Sequence, residues 1–108
     1  MKTEEQVAFL RGKIVAIAEA ILNQEVGVVV GSRILSGLGQ ELYGEHNENF
    51  IPFVAVMSET DHLPVDWERR NWSVEALERK DNEIAKYEAS AKDDVFAACK
   101  KLIQKFDM

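Results

Sequence analysis

Ser58, Glu59, Thr60, Asp61 and His62 occupy five consecutive positions directly after the apolar residues Phe50, Ile51, Phe53, Val54, Val56 and Met57. No other segment sets so many ionisable and hydrogen-bonding groups beside core material. Glu59, Asp61 and His62, joined by His46 and its neighbour Glu45, are of the types that ligate divalent cations, provided three or four converge. Their spacing matches no zinc or calcium motif: HExxH, CxxC and the calcium-loop pattern are all missing. The simpler reading makes these groups caps and ion-pair partners of a turn that precedes Pro64. His62 beside Asp61 suggests acid–base work, yet neighbours in an extended segment point apart. Ser58 lacks the flanking glycines of a nucleophile elbow. Cys99, the one cysteine, falls in an apolar helical pattern and reads as a small buried hydrophobe. No catalytic residue and no cofactor is assigned.

Two further groups stand out. Arg33 lies one step from an apolar row, so its guanidinium should sit at the core edge, where it wants a carboxylate. Glu59 and Asp61 are the candidates, and a structural ion pair of Arg33 with them would fasten the 58–64 turn to the second helix. Trp67 and Trp72 flank Glu68, Arg69 and Arg70. Trp and Arg dominate binding hot spots, so Trp67, Arg69, Arg70 and Trp72 are partner-binding candidates. The plainer alternative has the rings lidding the core.

The elements that must position these groups read as helices. Thr3 and Gln6 form a capping box, with Glu4 and Glu5 in the first turn. Val7, Leu10, Ile14, Ile17 and Ile21 then recur at helical spacing. VGVVVG taken alone reads as a strand. Over a longer window Val26, Val30, Ile34, Leu38 and Leu42 make an i, i+4 row down one helix face, broadened by Val29, Leu35 and Gly37. Gly27, Gly31, Gly37 and Gly39 disfavour that helix, and close approach of another helix to bare backbone would explain them. Phe50, Phe53, Val54 and Met57 suit a two-turn helix that tolerates Pro52 at its start and is capped by Asn47 or Asn49. Ser73 is an N-cap, and the pattern from there runs to Phe106. One rod over 73–106 would be about 50 Å long, so either a kink near Ser90 or a projecting first half is expected. The fold expected is all-α: one domain over 1–108, a compact bundle of about four helices with a long or kinked C-terminal helix. The alternative is α+β, with short strands near 26–30 and 51–57.

Charge narrows function. The chain has 108 residues, with 13 basic and 19 acidic groups, and is −6 overall. Such a field repels phosphate, so nucleic acid is not an expected partner, whereas basic proteins are attracted. The apolar run Ile14 to Leu22 is interrupted by Glu19 and is too short for a bilayer, so no membrane partner is expected. The start MKTEEQ is unlike a secretory signal, which points to a cytoplasmic protein.

SETDHLPV at 58–65, followed by Trp72, Ala76 and Leu77 in a WxxxAL pattern, resembles a family of small bacterial proteins of uncharacterised function. Phe50 and Phe53 stand for its FxxF segment. The resemblance spans roughly Ile21 to Phe106 and implies a compact helical protein from a bacterium, with no activity attached. Size, acidity and helix content also resemble the immunity proteins that neutralise bacterial toxins. The function expected is a non-enzymatic acidic protein-binding module, immunity- or antitoxin-like, for a basic protein. The alternative is a small metal-binding protein or enzyme using the 59–62 turn. A homodimer through the helix from Ser73 stands between the two.

Overall fold

The computed structural model describes residues 2–44, 47–61 and 72–106. His46, His62, Trp67, Arg69 and Arg70 lie outside the described residues. Four α-helices follow in order: α1 (Glu4–Leu22), α2 (Val28–Tyr43), α3 (Ile51–Thr60) and α4 (Val74–Phe106), with a 3₁₀ turn at Glu48–Phe50 leading into α3. The described residues contain no strand, so 26–30 and 51–57 are helical rather than extended. The sustained helical period outweighs the strand preference of VGVVV, because a buried helix face gives those side chains the packing a sheet would.

α1 begins with the capping box read from the sequence. The Gln6 amide donates to Thr3 Oγ1 at 3.1 Å, and the Thr3 amide donates to Gln6 Oε1 at 2.9 Å. Leu10, Ile14, Ala18 and Ile21 are its buried positions. The chain leaves α1 through Asn23 and through Gln24, whose φ of 61° is left-handed.

The buried face of α2 is centred to one side of the expected row: Val29 and Leu35 are buried, while Val26, Val30 and Leu42 pack at the core's edge. Of Val26, Val30, Ile34, Leu38 and Leu42 only Leu38 is buried, and Ile34 is 40% exposed. The inward face is Val28, Val29, Gly31, Ser32, Leu35, Ser36, Leu38 and Gly39. Small residues select this face because they let neighbours come close. A Cβ on Gly31 would lie 2.5 Å from Ile21 of α1, and one on Gly39 would lie 2.6 Å from the Phe50 ring. Gly37, by contrast, faces open space. α2 has no side-chain cap of its own. Its cap comes from α4: the Val29 amide donates to Glu88 Oε2 at 2.9 Å, a carboxylate at the positive end of the helix dipole.

Asn47 Oδ1 accepts from the Asn49 amide at 3.1 Å and starts the 3₁₀ turn. α3 then runs past Met57 to Thr60, so Ser58 and Glu59 belong to its last turn. Thr60 is fully buried and returns its hydroxyl to the Val56 carbonyl at 2.6 Å. Phe50 joins three element ends: its ring lies 6.0 Å from Tyr43, 6.2 Å from Phe53 and 6.4 Å from Phe106.

α4 is capped by Ser73, whose Oγ accepts from the Ala76 amide at 3.2 Å. It runs unbroken through Ser90 for 33 residues, and all its buried residues (Val95, Ala98, Cys99 and Leu102) lie in the second half. Of the two expectations for this segment, projection holds and the kink does not. The molecule measures 47 × 27 × 22 Å, and the long dimension is close to that of α4 itself.

Candidate functional site

The end of α3 is where the chemistry-bearing residues meet the rest of the fold. Arg33, half-buried on α2, donates from Nη2 to the main-chain carbonyl of Thr60. That carbonyl belongs to the last turn of a helix, where no intrahelical amide is left to satisfy it, and a cation there also suits the dipole. Arg33 thus fastens the 58–61 corner to α2 through the peptide between the two acids. Glu59 reaches α4, where its Oε2 accepts a hydrogen bond of 2.7 Å from the Tyr87 hydroxyl. Burial, then the Glu59 bond, then the Glu59 charge push the Tyr87 phenol up from 10.0 to about 12. Tyr87 is therefore a fixed donor at neutral pH and holds the Glu59 carboxylate in one place.

Beyond this bond a groove of about 750 Å³ opens between α3 and α4. Ala55, Ala91, Ala97 and Ala98 are part of its lining, beside Pro52, Val56 and Val95. Glu48, Glu59 and Asp94 bring three carboxylates to it, against one cation, Lys101. The groove exists because α3 packs more on α2 than on α4. The lining thus mixes carboxylates and hydroxyls with small apolar side chains.

The other candidates are spread out. Trp72, just ahead of α4, is half-buried with Lys80 Nζ of that helix 6.0 Å from its ring centroid, so the one described tryptophan already faces a cation. Among the described residues no three His, Cys, Asp or Glu side chains converge as a metal would need. Cys99 is fully buried, and burial pushes its thiol from 9.0 up to about 12. Tyr87 reads in the sequence as one more apolar mark of a long helix, and nothing in the sequence singles out Asp94. Only the packing of α3 across α4 makes them neighbours of Glu59.

No protein-family model, curated protein or solved structure matches this chain. No helix among the described residues is long and apolar enough to cross a membrane.

Proposed function

We propose that this chain is a cytoplasmic, non-enzymatic protein-binding module for a basic protein partner, in the manner of an immunity protein or antitoxin. The observation that carries this reading is the α3–α4 groove, where Glu48, Glu59 and Asp94 outnumber Lys101. The net charge of −6 acts in the same direction at longer range, since complementary fields raise association rates and select against acidic partners. Trp72, just ahead of α4, and Lys80 on its first half form a separate aromatic–cation pair.

The test is affinity capture from a bacterial lysate at low salt, with the wild-type chain beside a Trp67→Ala, Trp72→Ala double variant. The retained protein is then purified and titrated against both baits by calorimetry. A basic protein that binds the wild type, binds the variant more weakly and loses affinity as salt rises is the expected result. A folded wild-type bait that retains nothing specific, or only acidic proteins, rejects the reading.

A further inference from the structure

We propose that the α3–α4 groove is the seat of a basic amphipathic helix supplied by the partner, an inference that rests on the protein-binding reading above. A helix is the occupant whose shape suits a channel walled by two helices. Glu59 meets Tyr87 at one end, while Phe50 packs by Phe106 towards the other, so α3 and α4 run antiparallel along its two sides. From Tyr87 to Lys101 the α4 wall covers about four turns, roughly 20 Å. Ala55, Ala91 and Ala97 add little bulk to the lining, so large apolar side chains of an incoming helix have room between α3 and α4.

The charges choose among occupants. Glu59 lies on α3, Asp94 on α4 and Glu48 just ahead of α3, so negative charge is distributed over both walls rather than gathered at one point. A second copy of this chain would bring a further −6 to the same face, and a nucleic acid or an anionic lipid surface would bring phosphates. A helix with lysines or arginines beside its apolar stripe matches both the floor and the rim. Tyr87 contributes by holding one oxygen of Glu59, which leaves the other free to accept from the incoming cation.

The probe is a synthetic peptide of about four turns with leucines and lysines at helical spacing, beside a counterpart with glutamate in place of lysine. Binding is followed by amide NMR on the full chain. The expected result is shifts confined to α3 and to residues 87–101 of α4, seen with the lysine peptide alone. The exposed pair Glu59→Lys, Asp94→Lys should weaken binding about tenfold or more. Ala55→Trp, also at an exposed position, should weaken it as well by filling the groove without altering charge. Circular dichroism establishes that each variant is folded. Shifts scattered over other surfaces, equal binding of the glutamate peptide, or undiminished binding by both variants overturns the proposal. A natural partner captured equally by wild type and by the charge-reversed variant overturns the groove and leaves the protein-binding reading standing. A wild-type chain that captures no partner rejects that reading, and the groove assignment falls with it.

Discussion

Ser32 sits on the buried face of α2 with its hydroxyl fully enclosed and no hydrogen-bond partner among the described residues. A serine tolerated there is small enough for close packing, but its polar atom has lost water without replacement, which costs about 1–3 kcal/mol. Ser32→Ala is therefore expected to leave stability unchanged or raise it by about 1 kcal/mol in a urea melt, the reverse of a usual core substitution. Arg33, its neighbour, should respond in the opposite sense. Truncation to alanine removes the charged donor to the Thr60 carbonyl and frees the end of α3 from α2. The expected loss is about 1–3 kcal/mol, with hydrogen-exchange protection falling first in the last turn of α3. Uniform loss across all four helices would show that Arg33 supports the core rather than this corner. The sequence marks Arg33 as an anchor, because a guanidinium one step from an apolar row must find an acceptor. It does not reveal that a backbone carbonyl is that acceptor, since carbonyls are present at every position and only the fold leaves one open.

At the scale of elements, the glycines of α2 separate by environment. Gly39 lies against the Phe50 ring, where an added Cβ would come within 2.6 Å of aromatic carbon, and Gly37 looks into open space. Gly39→Ala is expected to lower stability by about 1–3 kcal/mol through forced repacking. Gly37→Ala should raise it by about 0.5–1 kcal/mol, the ordinary helix preference of alanine over glycine. Thermal melts of the two single variants, identical in composition, compare these effects directly. The same crowding explains why the i, i+4 row of Val26, Val30, Ile34, Leu38 and Leu42 is not the buried face. A count of apolar side chains favours that row, whereas close contact favours the side where Gly31, Ser32, Ser36 and Gly39 let Ile21 and Phe50 in. The cap that α2 receives from Glu88 also comes from outside the helix.

Over the whole molecule, Cys99 reports on global opening. It is sealed between the helices, and its thiol is pushed up to about 12 by burial. Labelling by a thiol reagent near neutral pH should proceed only through unfolding, with a rate that tracks denaturant concentration. Fast labelling of the native protein would contradict the packing of α4 on the core. Alkaline pH carries a matching expectation. Cys99 and Tyr87 both titrate near 12 when folded, above their ordinary 9.0 and 10.0. The unfolded chain thus releases these protons first. Their contribution to stability is complete below pH about 9 and is lost progressively as pH rises towards about 12. Urea midpoints measured across that interval should fall, and Tyr87→Phe should remove part of the fall.

Helix content, the Thr3 and Ser73 caps, the Pro52 helix start and the burial of Cys99 all follow from the sequence alone. Each depends on residues within a few positions, where period and capping chemistry act locally. The acidity on which the proposed basic partner rests is likewise a property of composition. Tertiary structure decided which face of α2 turns inward, that α4 projects as one rod, and that Glu59 meets Tyr87 across a groove shared with Asp94. Those outcomes depend on which side chains leave room for a neighbour and on which distant groups then come within hydrogen-bond reach, and neither quantity is carried by spacing along one chain.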